Sequence, residues 1–258
     1  MGKEMNVDQN DRPNVSFIIP CYNEAQNVTG TVAQIEAGAK NANVDSYEII
    51  IVNDCSTDNT DEVAANLAKN NTRITHISNE RNLGFGGAYK EGVKHVRGVY
   101  VIMIPGDDVH PHASISPILR KAGEADIIIP YIGNPEARTW PRRITSVAFT
   151  GILNTLFRLD IPYYNGVVLH KLDLLRTVEI HTNGFAYQAE ALIKLLKGGA
   201  TYTTIPIEIT ERTVGKTSAF QLTNVYRVLM TIFTLWRDVN RSVRWKPSAT
   251  GTRTARQD

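Results

Sequence analysis

Cysteine is scarce: Cys21 and Cys55 are the only two in 258 residues, with no metal-type spacing and each beside a strand-like run. That excludes a disulfide framework and predicts reduced thiols, as in a cytoplasmic protein. Long apolar runs are missing too. No stretch reaches the roughly 20 apolar residues of a spanning helix, so contact with a membrane is expected to be peripheral at most. The opening MGKEMNVDQNDRPN is polar, without the apolar core of a secretory signal, and Asn6 stands where a myristoylation site has Ser or Thr. Charge of one sign is also absent: 28 Lys and Arg against 26 Asp and Glu leave +2, which offers nucleic acid no global field. The exception is the end of the chain, where Arg237, Arg241, Arg244, Lys246, Arg253 and Arg256 outnumber Asp238 and Asp258.

What is present is alternation. VSFIIP, YEIIIVND, RITHIS, VYVIMIP and ADIIIP are short apolar runs, separated by AQNVTGTVAQIEAGAK, NTDEVAANLAKN and GGAYKEGVKHV, whose apolar residues recur at helical spacing. This predicts an α/β fold with a mostly parallel, Rossmann-like sheet. Right-handed crossovers would bring the strands' C-terminal ends to one edge, where ligands of such sheets bind. The first candidates are therefore Tyr22, Asn23 and Glu24 after the first run, Asn53 and Asp54 after the second, Asn79 to Asn82 after the third, and Asp107 and Asp108 after the fourth.

Each motif also has a bland explanation. Asn59 and Glu62 have capping-box spacing and Asp58 can cap the same helix, but capping leaves Asp54 unexplained. In NLGFGGAYKEG the third glycine of a dinucleotide fingerprint would fall on Tyr89, so NAD binding is disfavoured; glycines opening a helix still favour an anion. PGDDVHPH reads either as a solvated polar turn or as a hard-cation site, because Mg²⁺ takes one or two carboxylates plus substrate phosphates. His110 and His112 are expected to be structural or exposed.

In order and spacing, IIPCYNEAQN, IIIVNDCSTDNT, NERNLGFGGAYKEG and GDDVHP resemble glycosyltransferase family 2, over about Val15 to Phe220. The resemblance implies a fold of the glycosyltransferase A type that binds a nucleotide-sugar donor, UDP- or GDP-linked, through Pro20, Tyr22, Glu24, Asp54, Asn82, Gly84, Gly106 and Asp107. It implies Mg²⁺ or Mn²⁺ on Asp107 with Asp108, inversion at the sugar, and Asp54 as the reader of the base. Pro105 replaces the usual first aspartate of the metal motif, and Cys55 a usual glycine.

The later part, RRITSVAFTGILNTLF and NGFAYQAEALIKLLKGGATYTTIPIEITERTVGKTS, is similar to the dolichyl-phosphate mannose synthase branch, which glycosylates polyprenyl phosphates. By resemblance Arg142, Arg143, Arg212 and Lys216 clamp the acceptor phosphate. Asp107, Asp108, Glu190 and Arg212 are the catalytic candidates, Asp108 and Glu190 serving as bases if the acceptor is a hydroxyl of a glycan or glycolipid. Glu190 with Lys194 also reads as a surface ion pair.

The expected organisation is a flexible segment 1–13, a catalytic domain 14–220 with a donor half 14–130 and an acceptor half 131–220, an amphipathic helix 221–246, and a disordered tail 247–258. On that helix Val225, Val228, Leu229, Ile232 and Trp236 share a face that fits either a membrane interface or the domain itself. The basic tail favours the cytoplasmic face of an anionic membrane. Two rivals remain. A nucleotidyltransferase would need a Gly-rich basic loop after the first strand, which PCYNEAQN lacks. A noncatalytic nucleotide-sugar binder is consistent with Pro105.

Overall fold

The computed structural model describes residues 12–209, together with 232 and 234–237. Its strands are β1 (Val15–Cys21), β2 (Tyr47–Asn53), β3 (Ile74–Ser78), β4 (Tyr100–Met103), β5 (Ile127–Ile132), β6 (Leu169–Lys171) and β7 (Tyr202–Ile207). They form one sheet in the order β3-β2-β1-β4-β6-β5-β7. All pairs are parallel except those of β6, which runs antiparallel to β4 and to β5. The helices are α1 (Val28–Asn41), α2 (Thr60–Asn70), α3 (Phe85–His95), α4 (His112–Arg120), α5 (Trp140–Phe157), α6 (Leu172–Leu175) and α7 (Tyr187–Lys197).

The continuous apolar run of β1 is explained by its place between β2 and β4, with every residue buried. Side chains alternate between two core layers as a two-residue period requires. Phe17 and Ile19 join Val32 and Ile35 of α1 and Ile115 and Ile118 of α4 on one face. Ile18 joins Tyr89 of α3, Leu153 and Phe157 of α5, and Leu192 of α7 on the other. Because β6 and β7 complete the sheet begun by β1 to β5, the expected donor and acceptor halves share a single sheet.

Three elements escaped the sequence reading for local reasons. Strand β6 has three residues, too short to show a period. Helix α4 carries Pro117, and α6 is a single turn. The capping box is a correction: Asn59 makes no side-chain cap, and Asp58 instead accepts from the N–H and hydroxyl of Thr60 and from the N–H of Ala25. At the far end, Ile232 and Leu235 are buried against the core layer of α5 and α7, whereas Trp236 is exposed. The described part of the expected membrane stripe is thus divided between packing and solvent. Val225, Val228 and Leu229, like the tail, lie outside the described residues.

Gly86 shows how tightly the halves meet. A Cβ there would stand 2.8 Å from the carbonyl oxygen of Gly184 and 2.9 Å from Cβ of Tyr187. Gly86→Ala is therefore expected to lower stability by about 1–3 kcal/mol. Gly151→Ala, in an exposed helical position with nothing within 4 Å of the added carbon, should be neutral or raise it by up to about 1 kcal/mol. Urea unfolding midpoints of the two variants provide the comparison.

His170 of β6 is fully buried and accepts from Gln188 Nε2 at 2.8 Å; burial pushes its imidazole down to about 3. A depressed histidine stays neutral when folded, while the unfolded chain takes up a proton below about pH 6.5. Its stabilising effect is complete above that value and is lost as pH falls toward 3, at up to about 1.4 kcal/mol per pH unit. The slope of unfolding free energy between pH 6 and 4 should therefore shrink by about one proton in His170→Gln.

Candidate functional site

Strand register builds the site. Cys21 pairs with Asn53 and Ile18 with Met103, so β1, β2 and β4 end on one rim. The N–H of Asp54 donates to the carbonyl of Cys21, and that of Ile104 to Ile18. A Cβ on Gly106 would meet Cys21 Sγ at 2.7 Å and the carbonyl of Pro20 at 3.3 Å, so only glycine lets the β4 exit lie this close to β1. Tyr22, Glu24, Asp54, Gly106 and Asp107 thereby share one edge. Of these Tyr22 is the most open, at 50% exposure. Pro20 is a buried strand residue that shapes the rim from beneath.

Asp54 is buried, and its carboxylate holds the glycine loop. Oδ1 accepts from Asn79 Nδ2 at 2.8 Å and from the N–H of Leu83 at 2.9 Å; Oδ2 accepts from the N–H of Gly84 at 2.8 Å. Gly84 adopts φ +80°, where glycine is favoured. Asn82 closes the same knot, donating to the Asp54 carbonyl and accepting from Gly84 N–H. The next free amides of α3, those of Gly86 and Gly87, donate to the carbonyl of Asn183. Protein groups thus already engage the amides of Gly84, Gly86 and Gly87, the ones the glycine motif offers to an anion. A shallow hollow of about 520 Å³, lined by Ser78, Asn79, Glu80, Arg81 and Leu83 among others, lies beside the knot.

The twin acids part company. Asp108, at φ +54°, donates its backbone N–H to Thr31 Oγ1 at 3.1 Å, and its carboxylate lies over Gly30 of α1, where an added Cβ would collide with Oδ2. Burial raises its carboxyl above the usual range. Asp107, next to Gly106 at the β4 exit, is half-buried with its Oδ1 out of solvent, whereas Asp108 is the more exposed of the two. The Cys21 thiol is pushed far up by burial, then by the negative charges of Glu24, Asp107 and Asp58, which places three carboxylates within electrostatic reach of one sulfur. Among the described residues no group of three or more His, Cys, Asp or Glu is arranged to hold a metal. One rim carboxylate with diphosphate oxygens nonetheless meets the needs of Mg²⁺ or Mn²⁺, and a cation there would relieve the crowding of negative charge. His110 is half-buried with its Nδ1 out of solvent, and desolvation, then Arg138, lowers it to about 4; His112 is tied to Gln34 Oε1 through its N–H and its ring.

Glu190 is not the surface pair its spacing suggested. It is buried, accepts from the backbone N–H groups of His181 and Thr182 at 2.9 and 3.0 Å, and meets Lys194 Nζ at 2.6 Å. Burial pushes its carboxyl up, but the His181 amide and Lys194 more than offset this, leaving it below the usual range. Lys90 of α3 holds the same loop through the carbonyls of Ile180 and His181. Glu190 thus fixes the segment whose Asn183 carbonyl caps α3. Sequence reasoning missed Asn183 because it acts through its backbone; only the turn-forming Asn-Gly pair marks it. Arg142 and Arg143 lie exposed in the first turn of α5. Arg212 and Lys216 lie outside the described residues.

Against known proteins, residues 16–192 match the model of glycosyl transferase family 2. A dolichyl-phosphate beta-glucosyltransferase of Trichomonas vaginalis is 36% identical over 96 residues, a match covering 36% of this chain and 28% of that relative's length. Among solved structures, a mannosyltransferase from Pyrobaculum calidifontis, in complex with GDP-Man and Mn²⁺, superposes with a TM-score of 0.63 at 18% identity, over 91% of this chain and 66% of that one. Glucosyl-3-phosphoglycerate synthase from Mycobacterium tuberculosis, with Mn²⁺, UDP-glucose and phosphoglyceric acid, gives 0.66 at 17% identity, over 87% and 80%. These structures share the fold, and the family match covers well over half of the sequence with the rim motifs inside it. The chain belongs to glycosyl transferase family 2.

Proposed function

We propose that the protein is a hexosyltransferase that moves a sugar from a UDP- or GDP-linked donor to a polyprenyl or dolichyl phosphate, with inversion and with Mg²⁺ or Mn²⁺ as cofactor. The observation that carries this reading is the rim itself, where the β4 exit at Gly106 and Asp107 is pressed against Pro20 and Cys21 of β1, on the same edge as the loop that Asp54 holds in place. The names of the similar proteins support it: nucleotide-sugars with Mn²⁺ in the structures, a dolichyl-phosphate acceptor in the relative.

In this reading Asp107 holds the ion, whose charge would stabilise the departing nucleoside diphosphate. Tyr22 and the hollow beside Asn79 and Arg81 take the base end of the donor, on a floor that Asp54 keeps rigid. An acceptor phosphate has a second pKa near 6 and arrives largely ionised at neutral pH, so it needs no general base. Its oxygen bonds to the anomeric carbon as the bond to the diphosphate breaks, and that electron pair leaves with the diphosphate. Arg142 and Arg143, with Arg212 and Lys216, neutralise the two approaching anions. Glu190 is unsuited to be a base, since its carboxyl is lowered and its oxygens are engaged. A hydroxyl acceptor would need a positioned base, and with the Glu190 oxygens engaged the other candidate is Asp108, whose carboxylate lies over Gly30 of α1.

Two measurements test the assignment. With labelled donors, polyprenyl phosphate and Mg²⁺ or Mn²⁺, Asp107→Asn should slow transfer by about 10²–10³-fold; undiminished turnover would remove Asp107 from the mechanism. Glu190→Gln should lose roughly 1–3 kcal/mol of stability yet keep the wild-type pH profile of turnover, whereas loss of the limb that reports a base would make Glu190 catalytic.

A further inference from the structure

Helix α5 shows solvent a face that a globular protein ordinarily hides. Trp140 is 71% exposed, Ile144 58%, Val147 73% and Ile152 56%, with Leu156 also open. At about 100° per residue, Trp140, Ile144, Val147 and Gly151 fall on one stripe, and Ile152 lies further round the helix, joined to it through exposed Ala148. The opposite side, Phe149, Leu153 and Phe157, packs into the core. The helix therefore has its apolar anchor to the protein and a second apolar face besides. The charge along it has one sign: Arg138, Arg142, Arg143 and Arg158 occur with no acidic residue between Glu136 and Asp160. Contiguous exposed apolar surface marks an interaction site, and a basic rim around it fits anionic headgroups better than a neutral or basic partner. An aromatic side chain at one end suits the boundary between headgroups and acyl chains.

We infer that α5 is the element through which this protein docks on an anionic lipid surface, seating Trp140, Ile144, Val147 and Ile152 among the acyl chains with the arginines at headgroup level. This assigns the membrane contact to a helix of the folded domain, where the sequence left both residues 221–246 and the run Ile144 to Phe157 open between membrane contact and packing. It deepens the lipid-phosphate reading, because a polyprenyl acceptor keeps its tail in a bilayer and Arg142 and Arg143 stand at that boundary. The binding itself needs neither donor nor turnover, so it can fail or hold independently of the proposed reaction.

The test uses the full chain and bare vesicles. Co-sedimentation with mixed phosphatidylcholine and phosphatidylglycerol vesicles should exceed that with phosphatidylcholine alone, and Val147→Ser with Ile152→Ser should weaken it by at least about tenfold. Both positions are exposed, so circular dichroism should show the double variant folded. In a Trp236→Phe, Trp245→Phe background, Trp140 is the sole indole, and its emission should shift to the blue on anionic vesicles. Wild-type binding by the double variant, an unmoved Trp140 spectrum, or equal binding to neutral vesicles would overturn the inference. So would a soluble dimer that the double variant dissociates, since the face would then belong to a second copy of the chain.

Discussion

The site depends on one buried carboxylate. Asp54 leaves β2 at the sheet rim and takes three hydrogen bonds from the segment between β3 and α3. A buried anion is tolerable only when donors surround it, so the loop and the acid require one another. Without Asp54, the Leu83 amide loses its partner and that of Gly84 keeps only Asn82 Oδ1, at the place where the chain must turn sharply through Gly84. The base-reading role implied by resemblance was a functional answer to a residue that capping could not explain. The geometry adds a mechanical role: the Asp54 carboxylate ties Asn79, Leu83 and Gly84 together and so holds the loop beside the rim.

Such ties extend across the sheet. Asn183 caps α3 from the acceptor side, and Glu190, Lys90 and Lys194 fix the segment that carries it. The stacked rings of Phe85 and Phe185, with Tyr89 against Tyr187, fill the space beneath. Donor and acceptor elements are thus coupled by backbone hydrogen bonds as well as by the sheet. Displacing α7 would disturb the start of α3, and through it the loop that Asp54 grips.

The fold was legible because its cues are periodic. Continuous apolar runs ending in polar residues placed β1 to β5, helical spacing placed α1 to α3, and the strand exits led to Asp54 and Asp107 without any contact information. What stayed hidden depends on neighbours distant in sequence. The separate fates of Asp107 and Asp108 follow from the φ of Asp108 and the bare backbone of Gly30, and adjacent aspartates look alike in a string of letters. Glu190 reads as a surface partner of Lys194 because helical spacing cannot show that residues 181 and 182 fold over it. Asn183 acts through a carbonyl, which every residue possesses.

Electrostatics explains why the departure at Pro105 is compatible with chemistry at this rim. A carboxylate at position 105 would add to the negative charge with which Glu24, Asp107 and Asp58 already raise the thiol of Cys21. Like charges brought together are costly unless a cation answers them, so a rim with fewer fixed acids holds its loops with less repulsion in the absence of donor. In the proposed reaction the missing ligand would come from the donor's diphosphate, which would bring oxygens and negative charge together. Cation and donor would then bind as a coupled pair, with affinity for each depending on the other.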